Sequence, residues 1–270
     1  MQVYLDLVER VLANGILKKN RTGVDTISTF SEHYKIDLSL GYPLLTTKKV
    51  NFKSMLHETL WYLTGEDHIR NLRQHTKIWD AWADENGNLE TAYGRYWRRF
   101  PSAQKNKSTG DYEVKEIDQI GEVIKLIKNT PESRRMVISA WEPGNALFSK
   151  LPPCHYTFAF NVSDGKLNCH LTQRSGDVAL GIPFNIACYS LLTMVIAQET
   201  NLLPGTFAHT IIDAHIYVNH VDGLKEQLKR KPKGLSELII AKKPINDLKF
   251  EDFELRNYIC DDAIKFEVAV

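Results

Sequence analysis

Apolar side chains recur at helical spacing in four stretches of the chain, and each stretch has a recognisable end. The first stops at Gly15 and the second at Gly65, a residue type that commonly terminates helices. The third stops before Asn129-Thr130-Pro131, and the fourth is apolar on almost every side, as expected for a buried helix. The pattern predicts helices over residues 3–12, 51–63, 117–127 and 186–200.

Other stretches alternate between apolar and polar positions, as strands do. The clearest pair flanks Asp164-Gly165, a strong two-residue hairpin signal. Only residues 101–116 lose apolar periodicity, and they are predicted to form a polar surface loop. The predicted strands are residues 26–38, 135–141, 156–162, 167–173, 207–218, 236–241 and 264–268. We therefore expect an α+β fold, with a mostly β core flanked by long helices in one domain over residues 1–270.

Composition excludes several classes of protein. The 270 residues are 43% hydrophobic and carry a formal net charge of +1, so the chain is not expected to be disordered. Its balanced charge gives no overall electrostatic attraction to nucleic acid or to an anionic membrane. No signal peptide is visible, and the longest apolar stretch, residues 186–197, is shorter than the ~20 residues of a membrane span. Four cysteines lack CxxC spacing. A soluble, cytoplasmic protein is expected, without a membrane partner.

The predicted hairpin brings a cysteine close to an arginine. If Asp164 and Gly165 are the two turn residues, Cys154 lies opposite Ser175 and His155 lies opposite Arg174, within a residue or so. A neighbouring guanidinium favours thiolate over thiol and makes cysteine nucleophilic. The alternative is a small buried apolar side chain. The same register separates Cys154 from Cys169, which argues against a zinc site, and no metal is predicted.

Three further polar positions have two interpretations each. Glu58 falls in a helix that is apolar on most sides, so it is either neutralised by a partner or is a proton-transfer group with a raised pKa. Asn185 is either a helix cap or part of a polar binding site. Arg134 and Arg135 are either a solvated strand end or an anion-binding fork.

Taken together, motifs along the whole chain resemble the thymidylate synthase family. Each fragment is modest, but their combination and order are specific. The fragments are Arg21-Thr22-Gly23, residues 43–49, His57-Glu58 with Trp61, residues 78–80, residues 82–87, Ser133-Arg134-Arg135, Cys154-His155 after two prolines, residues 173–177, residues 180–187, residues 213–217 and Val268-Ala269-Val270.

The resemblance implies a homodimer whose sheets, mixed and bulged, pack back to back. It also implies conversion of dUMP to dTMP with 5,10-methylenetetrahydrofolate as one-carbon and hydride donor, and release of dihydrofolate. Cys154 would attack C6 of the uracil ring, and Glu58 would relay protons. Arg134 and Arg135 would reach the phosphate in the other subunit's site.

The same resemblance assigns sets of residues to the steps of that reaction. The implied catalytic set is Cys154, Glu58, Tyr93, His155, Arg174, Asp177 and Asn185. The implied nucleotide-binding set is Arg21, Arg134, Arg135, Arg174, Ser175, Asp177, Asn185, His215 and Tyr217. The implied folate-binding set is Asn51, Trp79, Trp82, Asp177, Leu180, Gly181, Phe184, Ala269 and Val270, with the last residue closing a C-terminal lid.

The chain departs from the family pattern at several positions. Ile211-Ile212 precedes Asp213 where the family usually has glycine, and Val24-Asp25 follows Arg-Thr-Gly in place of small residues. Ala159 stands where a glutamine is frequent, and Asn51 where a histidine often lies. None of these removes a catalytic group, but they leave details of folate contact and dimer packing open.

Two alternatives belong to other functions. A dUMP hydroxymethylase of the same superfamily would share the covalent chemistry but capture the methylene with water. Residues 95–99 interleave cations and aromatics as in single-strand nucleic-acid binders, and residues 225–233 are basic. The net charge of +1 argues against a binding module, so RNA binding stays open as a side activity and is not predicted.

Overall fold

The computed structural model describes residues 1–268 and contains helices and strands in nearly equal measure. The helices are α1 (Gln2–Asn14), α2 (Phe52–Thr64), α3 (Tyr93–Arg98), α4 (Gln119–Asn129), α5 (Pro143–Ala146), α6 (Gly181–Glu199) and α7 (Val221–Leu228). The strands are β1 (Ile16–Lys18), β2 (Thr26–Asp37), β3 (Phe100–Lys105), β4 (Tyr112–Ile117), β5 (Val137–Ser139), β6 (Thr157–Ser163), β7 (Lys166–Asp177), β8 (Leu203–Tyr217), β9 (Glu237–Ile240) and β10 (Phe253–Arg256). The predicted α+β class is confirmed.

Six strands form one mixed sheet in the order β1-β2-β8-β7-β6-β5. All neighbours are antiparallel except β7 and β8, which are parallel because α6 crosses over between them. The β6–β7 hairpin turns at Asp164 and Gly165, both with positive φ, and Thr157 pairs with Thr172 in the predicted register. The predicted bulged sheet is also confirmed, since the β7–β8 register shifts between Leu167 and Cys169.

Helix α6 lies in the core of the molecule. Apolar residues surround it on all sides, and 78% of its most apolar stretch is buried. Its 19 residues would suit a membrane span by length and composition alone. Its burial inside the fold instead identifies it as a core helix.

Helix α3 packs against α2 closely enough to exclude any side chain at Gly94. A Cβ there would lie 2.4 Å from the carbonyl oxygen of Tyr62. This contact sets Tyr93 beside Tyr62, with ring centroids 5.4 Å apart. Two helices that are distant in sequence thereby present one aromatic wall.

Three predictions from the sequence are wrong. Residues 101–116 are not a loop, because β3 and β4 pair there as a hairpin. Residues 264–268 are not a strand, since they have no regular structure. Helix α6 begins at Gly181 and not at residue 186, so Asn185 lies inside the helix and is not its cap.

Candidate active site

A cavity of about 980 Å³ opens where the carboxyl end of β7 meets the start of α6. Its volume is at the upper end of the range for small-molecule sites, which leaves room for two ligands side by side. Most of the predicted site residues line it. They are Arg21, Glu58, Trp79, Trp82, Tyr93, Cys154, His155, Arg174, Ser175, Asp177, Leu180, Gly181, Phe184, Asn185, His215 and Tyr217.

Cys154 stands just ahead of β6 and is held from two sides. Its N–H donates to the hydroxyl of Tyr93 over 2.7 Å, and its carbonyl accepts from the backbone N–H of Arg174 over 2.8 Å. This last bond shows that the pairing has shifted by one residue from the predicted register, in which His155 faced Arg174. The predicted approach of cysteine and arginine is nevertheless confirmed.

The Arg174 guanidinium contacts both the thiol and the backbone before it. Nη2 lies 3.6 Å from Cys154 Sγ and donates to the carbonyl of Pro152, while Nε donates to the carbonyl of Pro153. Burial raises the pKa of the Cys154 thiol, and the charges of Arg174 and then Arg21 oppose that rise. The expected activation by Arg174 is therefore present but is outweighed by burial in the protein alone.

Glu58 is buried in α2 and faces the cavity with an unusual pKa. Burial raises that pKa to about 7, although two hydrogen bonds counteract the rise. Tyr62 Oη and Trp79 Nε1 both donate to Glu58 Oε1, over 2.8 and 2.7 Å. Of the two interpretations of Glu58, the carboxyl group with a raised pKa agrees with this environment. Such a group can hold or release a proton near neutral pH.

His155 follows the cysteine but points into the core. Its ring stacks on Tyr93 with centroids 3.6 Å apart, and Nδ1 is hydrogen-bonded to the Tyr189 hydroxyl over 2.7 Å. Burial lowers the pKa of His155 to about 3. The imidazole therefore stays neutral and supports the Cys154 segment by packing.

Asn185 faces the cavity from the second turn of α6. Its Oδ1 accepts from Gln173 Nε2 over 3.1 Å, and the same nitrogen donates to the Ser175 carbonyl over 2.9 Å. Because a carbonyl can only accept, the amide of Gln173 has one orientation, and this in turn orients Asn185. Gln173 lines the cavity and was missed as a site residue, since a buried glutamine in a strand gives no signal in the sequence.

One end of the cavity collects cationic and hydroxyl groups. Arg21, Arg174 and Ser175 meet there with His215 and Tyr217 of β8. Lys18 and Lys19 line the same end and were also missed. The strand that leads to them, β1, is only three residues long and was not predicted. Lys18 Nζ pairs with Asp213 Oδ2 over 2.9 Å, and His215 Nδ1 lies 3.2 Å from Asp213 Oδ1.

The other end of the cavity is aromatic and apolar. Trp79 and Trp82 lie edge to face with centroids 5.6 Å apart and form an aromatic wall, and Leu180, Phe184 and Val268 also line the cavity. Asp177 borders this wall, and its Oδ1 accepts the N–H groups of Ala179 and Leu180 at the entry to α6. Flat apolar surfaces beside a carboxylate suit a polar heterocyclic ring.

Some predicted site residues do not lie in the cavity. Arg134 and Arg135 are exposed on the approach to β5 and do not line it. Asn51 caps α2 through a bond from the Ser54 N–H and lies beside a separate small pocket. Ala269 and Val270 lie outside the described residues.

The cation–aromatic segment at residues 95–99 is not a stacking platform. Tyr96 and Trp97 are fully buried, and Arg98 pairs with Asp118 over 3.1 Å. Within residues 1–268 no group of three or more His, Cys, Asp or Glu side chains is arranged to hold a metal ion.

Fold and cavity together define a class, an α+β enzyme with a cysteine in a ligand-sized cavity. A sequence model of one family, described as thymidylate synthase, matches residues 2–270. A thymidylate synthase from Haloferax volcanii is 44% identical over an alignment of 326 residues, which covers 98% of this chain and 95% of that protein. The chain belongs to the thymidylate synthase family.

Proposed function

We propose that this enzyme methylates dUMP to dTMP, with 5,10-methylenetetrahydrofolate as the source of the one-carbon unit. One observation carries the proposal. The Cys154 thiol lies in a cavity whose cationic end matches a nucleoside monophosphate and whose aromatic end matches a folate ring. Family membership supports the same reaction.

The cationic end would bind the nucleotide. Arg21, Arg174 and Ser175 can donate to the phosphate, and charge-assisted bonds of this kind are strong in a partly buried site. His215 and Tyr217, which line the same cavity, would bind the ribose hydroxyl. Asn185 has Oδ1 partly engaged and Nδ2 free to donate, which suits the O4 and N3–H edge of uracil.

Cys154 would attack C6 of the bound uracil. The thiol proton would first pass to water in the cavity, and the S–C6 bond would then form as the C5=C6 electron pair moves toward C5 and O4. Asn185 Nδ2–H would stabilise the charge at O4. Nε and Nη2 of Arg174 are already engaged by the proline carbonyls and the thiol, so Nη1 would bind the phosphate. The nucleophile is thus oriented before the substrate arrives.

The aromatic end would bind the folate. Trp79, Trp82, Leu180 and Phe184 supply flat apolar contacts, and Asp177 supplies a carboxylate for ring N–H groups. When bound, the folate provides the one-carbon unit and the hydride. Glu58, with its pKa of about 7, would exchange protons with the nucleotide base through water.

We propose further that the active form is a cytoplasmic homodimer of single-domain subunits. Phe30 on β2 is 83% exposed, and Val137 on β5 is 51% exposed. Exposed apolar surface of this kind is typical of an interface. Arg134 and Arg135, absent from their own cavity, would then reach the phosphate in the partner's site.

The experiment is one incubation of the protein with dUMP and methylenetetrahydrofolate, followed by mass analysis of both products. Formation of dTMP and dihydrofolate is expected. Hydroxymethyl-dUMP with tetrahydrofolate would identify a hydroxymethylase, and the absence of any dUMP conversion would refute both activities. Cys154→Ser is the matched control, since it should abolish turnover while largely keeping nucleotide binding.

A further inference from the structure

A chain of buried hydrogen bonds extends from the cavity into the core, along one face of the sheet. Asn185 Oδ1 accepts from Gln173 Nε2, and Gln173 Oε1 lies 3.0 Å from His209 Nε2. His209 Nδ1 lies 2.7 Å from the hydroxyl of Tyr34. Gln173, His209 and Tyr34 are 3%, 0% and 6% exposed, so no water competes with these bonds. We call this chain the amide relay.

The direction of every bond in the amide relay is determined. The Ser175 carbonyl can only accept, so the nitrogen of Gln173 faces it and the oxygen of Gln173 faces His209. His209 must therefore carry its proton on Nε2, and Nδ1 must accept from the Tyr34 hydroxyl. Burial lowers the pKa of His209 to about 3, so the ring is neutral and has a single proton to place.

This direction matters for base recognition. Uracil offers an acceptor at O4 and a donor at N3, whereas cytosine offers a donor at N4 and an acceptor at N3. To bind cytosine, Asn185 would have to turn its amide over. Its Nδ2 hydrogens would then face those of Gln173 Nε2, and a buried donor without an acceptor is costly.

We propose that Tyr34 and His209 are positioning residues for pyrimidine selectivity, which act on Asn185 through Gln173. The inference rests on the proposed function, since it concerns the base of that same substrate. Without the Tyr34 hydroxyl, the proton of His209 can move to Nδ1. The bare Nε2 then repels the oxygen of Gln173, so only the bond to the Ser175 carbonyl still opposes turning over both amides.

The test compares variants by the ratio of dCMP to dUMP affinity, measured by titration calorimetry on the full-length protein. Tyr34→Phe and His209→Leu should each raise this ratio about tenfold, the effect of losing one buried hydrogen bond. His209→Gln keeps a donor at the position of Nε2 and should stay within about threefold of the wild type. The matched control is Tyr42→Phe, which removes an equally buried hydroxyl that donates to the Ala187 carbonyl outside the relay.

The tautomer of His209 is a second, independent readout on the wild-type protein. Long-range proton–nitrogen NMR should show hydrogen on Nε2 alone. Hydrogen on Nδ1 would overturn the inference even if no variant folds. So would an unchanged affinity ratio in folded Tyr34→Phe and His209→Leu, or an equal change in Tyr42→Phe. None of these results affects dUMP conversion by the wild type. If the wild type does not convert dUMP at all, the proposed function and this inference are refuted together.

Discussion

Arg174 Nη2 lies 3.6 Å from Cys154 Sγ, and the same guanidinium donates to the carbonyls of Pro152 and Pro153. The ring of Trp141 packs against the guanidinium, 5.8 Å from its central carbon. One side chain therefore fixes the backbone ahead of the thiol and places a positive charge beside it. The prolines have no N–H of their own, so this backbone cannot be held by strand pairing.

Replacing Arg174 with lysine should slow the reaction of the thiol. An ammonium group presents its donors from a single nitrogen and lacks the planar fork that spans both carbonyls and the sulfur. The pKa of Cys154 should therefore rise further above its ordinary value. Alkylation by iodoacetamide near neutral pH should become about tenfold slower. The measurement belongs in a Cys260→Ser background, because Cys260 is also partly exposed. An alkylation profile identical to that of the parent would contradict the proposed role of the guanidinium.

Glu58→Gln should stabilise the protein at alkaline pH. The pKa of Glu58 rises from 4.5 unfolded to about 7 folded, so the folded state keeps a proton that the unfolded state has lost. Its contribution to the free energy of unfolding therefore falls by about 3 kcal/mol as pH rises through that window. Glutamine keeps both bonds at the oxygen that accepts from Tyr62 and Trp79, and it carries no charge.

Urea unfolding at about pH 5 and about pH 8 measures this difference. The gain from Glu58→Gln should be small at the lower pH and large at the higher. Glu9→Gln, on an exposed face of α1, is the matched control and should show no such dependence. Equal effects of Glu58→Gln at both pH values would show that the carboxyl group is not perturbed. Turnover should be lost in this variant at either pH.

Asp213→Ala should weaken dUMP binding more than it slows turnover. Its hydrogen bond to His215 is the main cause that holds the pKa of Asp213 well below its usual range, so this carboxylate stays ionised and orients the imidazole. The KM for dUMP should rise about tenfold, with kcat reduced less than threefold.

Lys18→Ala is the matched control for that change. The side chains of Lys18 and Asp213 are 50% and 39% exposed, and ion pairs at such sites contribute little. The KM should change by less than about threefold. A rise in KM as large as that caused by Asp213→Ala would instead show that Lys18 itself binds the substrate.

Subunit mixing tests whether Arg134 and Arg135 act across a dimer. Cys154→Ser and the double variant Arg134→Ala/Arg135→Ala should each be inactive alone. In a heterodimer of the two, one site has the intact cysteine and receives both arginines from its partner, so activity should return on mixing. If the arginines act within their own subunit, no site in the mixture is complete and activity stays absent.

Elements with strong local signals could be predicted from the sequence. The turn at Asp164-Gly165 needs positive φ at both positions, and the observed values of 50° and 68° show why these residue types stand there. The end of α2 at Gly65 follows the same logic, with φ of 77°. Backbone conformation at single residues is encoded locally.

Elements whose signal depends on their surroundings could not be predicted. The β3–β4 hairpin buries neither face, and Tyr112 and Val114 are 71% and 74% exposed, so no inside–outside alternation marks it. Residues 264–268 do alternate, but Phe266 packs on His220 without a neighbouring strand. At α6, Pro183 suggested that the helix begins only after it. Proline is tolerated in the first turn of a helix, however, and α6 begins at Gly181.

The candidate site was predictable only in part for the same reason. The predicted hairpin was enough to place Cys154 close to Arg174, as the structure shows. Glu58 and Asn185 were candidates from the sequence itself, but only long-range packing brings them to the cavity, which no local pattern reports. The role of Tyr217 came from the family resemblance alone. His209 and Tyr34 gave no signal, and Gln173 gave none beyond its place in the fragment 173–177, because hydrogen bonds between buried side chains have no spacing rule in sequence.

The short separation between Cys154 and Arg174 also bears on how the protein folds. Only 20 residues separate them, so the entropy lost in closing that loop is small and grows only slowly with length. The contacts between Tyr34 and His209, or between Lys18 and Asp213, close loops of 175 and 195 residues. We therefore expect the thiol and its cation to meet early in folding, as part of one hairpin, with the substrate-selecting walls assembled around them afterwards.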